Sequence, residues 1–138
     1  MIGNNYLHSN ITKKVIRAYY NVYNILGYGF LEKVYENALL IELRKQNLKC
    51  ESQRSIEVYY DNQQVGLYYA DIVVESKVII ELKAAEILTE EHEIQLVNYL
   101  KATDAEVGLL LIFGREAELS RKVLSNEFKK HKLTVFNT

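Results

Sequence analysis

The chain has no proline and no tryptophan, only six glycines, and a single cysteine in 138 residues. One cysteine, Cys50, excludes a disulfide framework and a cysteine-rich zinc site, and it suits a reducing cytoplasm. The three histidines, at positions 8, 92 and 131, are too scattered to suggest a zinc centre. No stretch is apolar for long enough to span a bilayer. The opening residues, with Gly3, Asn4, Asn5 and His8, do not resemble a signal peptide. No phosphate-cradling glycine loop of the Walker or dinucleotide type is present. The formal net charge is only −1, so no overall field attracts nucleic acid, and any such binding must rest on a local patch.

What is there is the composition of an ordinary globular domain, 49% hydrophobic and 25% charged, with eleven tyrosines. No linker, repeat or low-complexity tract interrupts it. Residues 1–138 therefore read as one domain, large enough to bury a core without staples. Ser9 or Asn10 is suited to cap a first helix, in which Ile11, Val15, Ala18, Tyr19, Val22 and Leu26 recur at helical spacing. Gly27 and Gly29 end it. A second helix is predicted from near Phe30 to about Asn47, with Leu31, Val34, Ala38, Leu39 and Leu43 on its apolar stripe.

The period then changes to two. Ile56, Val58 and Tyr60 mark a strand, 61–64 a turn, 65–74 a second strand and 78–82 a third. Thr89 is a candidate cap for a helix running to about Ala102, whose first turn carries Glu90, Glu91 and Glu93, the charge sign that the helix dipole favours there. Residues 107–113 are almost wholly apolar, as in a strand covered on both faces. After Gly114, the spacing of Leu119, Val123 and Phe128 predicts a last helix, with a further edge strand at 133–136. The order ααβββαβα(β) implies an α/β domain, a central mixed β-sheet flanked by helices.

One stretch carries charge where a core strand should have none: Tyr69-Ala-Asp71-Ile-Val-Val-Glu75-Ser-Lys77-Val-Ile-Ile-Glu81-Leu-Lys83. A turn centred on Ser76 puts Asp71 directly opposite Glu81, and Lys83 shares the face of Glu81. Opposed carboxylates destabilise a sheet; a divalent cation between them is the simplest reason to keep both. Magnesium binds through one or two carboxylates, with water and phosphate filling its octahedron. Lys83 can polarise a water or steady charge on a phosphate. The plainer reading of Glu81-Leu-Lys83 is a solvated sheet face with a Glu–Lys ion pair.

A resemblance enters here. Gly66-Leu-Tyr-Tyr-Ala-Asp71, then Val78-Ile-Ile-Glu81-Leu-Lys83-Ala, then Gln95-Leu-Val-Asn-Tyr99 resembles the motif series of RecB-like nucleases in the PD-(D/E)XK superfamily. Gly29-Phe-Leu-Glu32-Lys-Val-Tyr35 resembles the signature of the GxxExxY protein family, a small single-domain branch of it. The resemblance covers nearly the whole chain and implies a restriction-endonuclease-like αβββαβ core. By it, Asp71 and Glu81 are metal ligands for Mg2+ or Mn2+ and Lys83 is the catalytic lysine. Glu32 is the helix-borne acid completing the metal site, with Gln95 and Tyr99 as supporting residues. The function implied is a metal-dependent nuclease; the resemblance names no substrate, and DNA is the leading reading ahead of RNA.

The residues themselves leave some choices open. Glu32, Tyr35 and Glu36 share one helix face, so Glu36 rivals Glu32 for the acidic role, and Tyr35 also reads as core. Gln95 and Tyr99 form an i, i+4 pair, whereas His92 one turn earlier reads as a surface residue. Cys50 reads as a half-buried structural thiol. Arg115, Arg121, Lys122, Lys129, Lys130, His131 and Lys132 read first as a solvated face and second as phosphate-backbone contacts. The near-neutral charge points to a homodimer or a protein partner that supplies a basic surface. The alternative of another class is a non-catalytic nucleic-acid-binding or assembly module that retains the fold, for which a degraded acidic set would be the signature.

Overall fold

Helical spacing of apolar residues builds the first layer. In the computed structural model, which describes residues 7–129, α1 (Ser9–Leu26) buries Ile11, Val15, Ala18, Tyr19 and Val22. Its cap is His8 rather than Ser9 or Asn10. A left-handed His8 (φ 56°) turns the chain so that its own carbonyl accepts the N–H groups of Ile11 and Thr12. At the other end Gly27 and Gly29 hold φ 67° and 109°, values a side chain would strain. They reverse the chain into α2 (Glu32–Lys45), which starts two residues after Phe30 because Leu31 is still extended.

Tyr35 fixes how α2 lies on the sheet. Its ring is fully buried and stacks on Phe113, with centroids 4.1 Å apart. Its hydroxyl donates to the Gly27 carbonyl at 2.8 Å and accepts the Phe30 N–H at 3.2 Å. Core residue and loop clamp are therefore one side chain, and Glu32 is held one turn before it.

The sheet has five strands in the order β1-β2-β3-β4-β5: β1 (Cys50–Tyr60), β2 (Gln63–Val74), β3 (Val78–Lys83), β4 (Val107–Phe113) and β5 (Ala117–Val123). Only β3 and β4 run parallel, and their crossover contains α3 (Glu90–Lys101). Residues 72, 74, 80, 82, 109, 111 and 113 pack with α1 and α2. Residues 73, 79, 110 and 112 pack with α3. The strand β4 is buried along its whole length, as its unbroken apolar run implies. Each fully buried aliphatic side chain there contributes roughly 1.5–3 kcal/mol relative to exposure.

Within the sheet, two boundaries and one element also differ from expectation. Strand β1 starts at Cys50, well before Ile56, and the hairpin turn is the two left-handed residues Asp61 and Asn62 (φ 53° and 61°) rather than 61–64. After Gly114 the chain forms β5, not a helix. Leu119 and Val123 are four apart, which mimics a helix, but Ala117 and Leu119 pack toward α1 and α2 while Ser120 and Lys122 reach Glu93 of α3. That alternation has period two, and residues 126–128 then make a single 3-10 turn. The edge strand expected at 133–136 lies outside the described residues.

Gly114 closes the end of the sheet where β3 leaves it. A Cβ at this position would stand 2.4 Å from the Ala85 carbonyl oxygen and 2.9 Å from that of Glu86, while the Gly114 carbonyl accepts the Tyr23 hydroxyl at 2.7 Å. Gly114→Ala should cost about 1–3 kcal/mol, the range of overpacking against atoms that cannot swing away. Urea denaturation measures it, and an unchanged midpoint would show that the segment following Lys83 is not pinned there.

Candidate active site

The turn after β2 sets the register of everything that follows. Glu75 and Ser76 are both left-handed (φ 54° and 55°), and the Lys77 N–H returns to the Val74 carbonyl at 2.9 Å. The ladder then pairs Val74 with Val78, Val73 with Ile79 and Ile72 with Ile80, centred on Ser76 as expected. At the next step the backbone ladder stops and the two carboxylates replace it. The Asp71 N–H donates to Glu81 Oε2 at 2.9 Å, and the Leu82 N–H donates to Asp71 Oδ2 at 2.9 Å. Each acid thereby satisfies a backbone donor that the parting strands would leave unpaired, and each has a second oxygen not used by the backbone.

Gln53 bends β1 beside this point. It sits in β1 between the pairs Ser52–Ile72 and Arg54–Ala70, and it is left-handed (φ 52°), which is uncommon for a residue with a side chain. The alternation of faces reverses there. Cys50 and Ile72 pack with α1 and α2, whereas Ile56 and Ala70, of the same parity, pack with α3. Asp71 lies at this reversal, within reach of both layers. The Gln53 amide bridges them, donating to Glu36 Oε1 at 3.1 Å and to Asp71 Oδ1 at 3.4 Å.

Both helix acids come to this place, by different routes. Glu36 is buried, and its Oε2 has no hydrogen-bond partner; Lys33 Nζ stands 3.6 Å away, beyond hydrogen-bond length. Glu32 is exposed and accepts the Ala84 N–H at 3.1 Å, just beyond Lys83. The Glu–Lys ion pair of the plainer reading is absent: among the described residues Lys83 makes no salt bridge. The face is not solvated either, since Glu81 is only 4% exposed.

Crowded acids in a poorly hydrated cleft resist ionisation. Burial, reinforced by the charge of Asp71, pushes the Glu81 carboxyl up to about 8, against the opposing pull of the Asp71 N–H and Lys83. The Asp71 carboxyl also rises, chiefly through burial and partly through the charge of Glu36, while the hydrogen bonds from Leu82 and Gln53 oppose it. Helix α3 forms the opposite wall. Its Thr89 cap and His92 make reciprocal hydrogen bonds, so His92 is half-buried in the cap rather than simply on the surface. The buried Tyr99 accepts a 2.9 Å hydrogen bond from Gln95. Burial, then the charge of Glu81, raises its hydroxyl to about 12.

A family model of the PD-(D/E)XK nuclease superfamily matches residues 9–124. The chain belongs to that superfamily. Neither the curated proteins nor the solved structures searched gave a significant match.

Asp71 and Glu81-Leu82-Lys83 have the residue types of the D and EXK in the superfamily's name, with Ala70 where the name writes proline. The mixed sheet flanked by helices is the restriction-endonuclease-like fold expected of the superfamily. Divalent metals are its usual cofactors. The residues fit one: the donor set is all carboxylate oxygen, the chemistry of hard cations, and the buried Glu36 Oε2 has no hydrogen-bond partner, only the Lys33 ammonium at 3.6 Å. Among the described residues no three acids, histidines or cysteines already stand in a ligating arrangement. Magnesium is nonetheless commonly held by only one or two carboxylates, a number that Asp71 and Glu81 would make up.

Gln53 had no sequence signal, since nothing about a polar residue in a strand announces a left-handed bend. The late basic residues disperse instead of forming a patch. Arg115 lies near Glu86 and over Tyr28, Arg121 donates to the Leu7 carbonyl, and Lys122 pairs with Glu93. Lys129 caps the carbonyls of Thr103 and Ala105, and residues 130–132 lie outside the described residues. Cys50 is half-buried, with its thiol raised by burial. No helix among the described residues is long and apolar enough to cross a membrane.

Proposed function

We propose that this protein is a divalent-metal-dependent nuclease acting on DNA, in the RecB-like GxxExxY branch of its superfamily. The observation that carries the reading is the exchange of backbone hydrogen bonds between Asp71 and Glu81. It fixes both carboxylates and leaves each with one oxygen that no backbone group uses, that of Asp71 touched only by the Gln53 amide at 3.4 Å. Those oxygens would hold Mg2+ or Mn2+, with Glu36 or Glu32 completing the set directly or through water. When bound, the metal neutralises phosphate charge and lowers the pKa of water. Lys83, in no salt bridge among the described residues, donates to a phosphate oxygen or orients the attacking water. Gln95 and Tyr99 steady the cleft wall and offer a hydroxyl to the substrate.

The GxxExxY assignment is supported by a physical role for each motif residue: Gly29 bends, Tyr35 clamps, and Glu32 is carried to the end of β3. Lone Cys50 suits a reducing cytoplasm. With a net charge of −1 and an acidic cleft, the chain needs metal, and a second copy or a protein partner, to hold a polyanion.

Magnesium or manganese should therefore raise the melting temperature. Binding to the native state alone stabilises by about 2.7 kcal/mol at a hundredfold excess over Kd. Asp71→Asn should abolish most of that shift while leaving the metal-free fold as stable or slightly more so, because the burial of an ionisable carboxyl beside Glu81 has been relieved. An equal shift in wild type and variant would put the metal elsewhere. Cleavage of single- and double-stranded DNA and RNA with manganese tests the activity directly. Complete inactivity would favour the non-catalytic binding module.

A further inference from the structure

A cavity of about 380 Å3 opens between the β1–β2 hairpin and α3, and the Tyr99 that lines it is near enough to the carboxylates for its hydroxyl to feel the charges of Glu81 and Asp71. Val58, Tyr68, His92, Gln95, Asn98 and Tyr99 line it. Its volume lies at the small end of ligand clefts, roughly 300–1,000 Å3. The lining combines aromatic faces with unspent amides. Tyr68 is half-exposed and tilts against Tyr99 with ring centroids 5.8 Å apart. The Asn98 side chain makes no hydrogen bond to any described residue, and Gln95 uses only its Nε2, leaving the carbonyl oxygen. No lysine or arginine lines the cavity, and Glu91 stands at its edge.

A phosphate would find no cation there and one repelling acid. A planar heterocycle would find a ring to stack on and adjacent donor and acceptor groups for its edge. We propose that this cavity receives a single unpaired nucleobase, the neighbour of the phosphate held at Asp71 and Glu81, so that the substrate is single-stranded or unpaired at the point of cleavage. The inference rests on the nuclease reading and narrows its substrate class. A base paired inside a duplex cannot enter such a cavity without leaving its stack, whereas stacking on an aromatic side chain is a common mode of single-strand binding.

Fluorescence anisotropy with a labelled DNA single strand and with the matching duplex tests this, in calcium so that binding is read without turnover. Wild type should bind the single strand at least tenfold more tightly than the duplex. Tyr68→Ala should weaken single-strand binding roughly five- to hundredfold, the span for loss of one stacked base, and leave duplex binding unchanged. Tyr68→Phe should retain wild-type affinity, and Asn98→Ala should change the preference among homopolymers of different base. Equal affinity for the two strand forms, no binding to either, or an unaffected Tyr68→Ala overturns the proposal. The nuclease reading fails separately. Tight Tyr68-dependent binding with no cleavage in manganese would sink that reading and uphold the cavity, whereas duplex cleavage that ignores Tyr68 would do the reverse.

Discussion

Lys83→Ala is expected to lower cleavage by about a hundred- to ten-thousandfold, the usual cost of removing one positioned acid–base group, with the fold intact. Lys83 ends β3 half-buried beside Glu81 and Asp71, and its charge lowers the pKa of both. It is nevertheless in no salt bridge among the described residues. An ammonium held near two acids without pairing to either has hydrogen bonds left for a substrate. Truncation leaves no buried acceptor stranded, so the melting temperature of the metal-free protein should move little. Metal binding should persist and even tighten, since a positive charge beside the cation has gone. Lys83→Arg keeps the charge but not the compact donor geometry, and it should recover binding of the strand more than rate. Cleavage by Lys83→Ala as fast as wild type, with manganese saturating, would remove the lysine from the mechanism and leave it a solubilising end to a strand.

Much of the arrangement around that lysine is legible in the chain because short-range rules dictate it. The centre of the β2–β3 turn follows from flanking apolar runs, and once Ser76 is the centre, the opposition of Asp71 and Glu81 is forced by the two-residue period. Thr89 followed by glutamates announces α3, and β4 is a strand because nothing polar interrupts it. What is not legible depends on contacts between distant segments. The reversal at Gln53 goes with contacts to Glu36 of α2 and Asp71 of β2, which no local pattern of β1 encodes. The rivalry of Glu32 and Glu36 has no local answer either. The stacking of Tyr35 on Phe113, 78 positions away, sets the phase of α2, and that phase brings both acids near the cleft. The edge strand β5 is missed for a similar reason. Half-buried on both faces, it spaces Leu119 and Val123 as a helix would, and only pairing with β4 decides its form.

The acid pair also makes the stability of the metal-free protein depend on pH in the direction opposite to most carboxylates. Glu81 titrates near 8 in the folded chain against an ordinary 4.5, so between those values the native state holds a proton that the unfolded state has released. Stability then falls as pH rises, by up to 1.36 kcal/mol per unit across the window. From pH 5 to pH 8 the loss is on the order of 3–4 kcal/mol for a fully coupled proton, with Asp71 contributing in the same sense at the acid end. Glu81→Gln keeps the acceptor for the Asp71 N–H and cannot ionise, so its unfolding free energy should stay nearly flat over that range. Saturating magnesium should flatten the wild-type profile too, because cation and proton compete for the same oxygens, and it should leave the Glu81→Gln profile almost untouched. Urea denaturation at half-unit pH steps, with and without magnesium, reads all four curves. Parallel slopes in wild type and Glu81→Gln would mean that Glu81 is ionised throughout, and the strain that we attribute to two facing carboxylates would have to be relieved without metal.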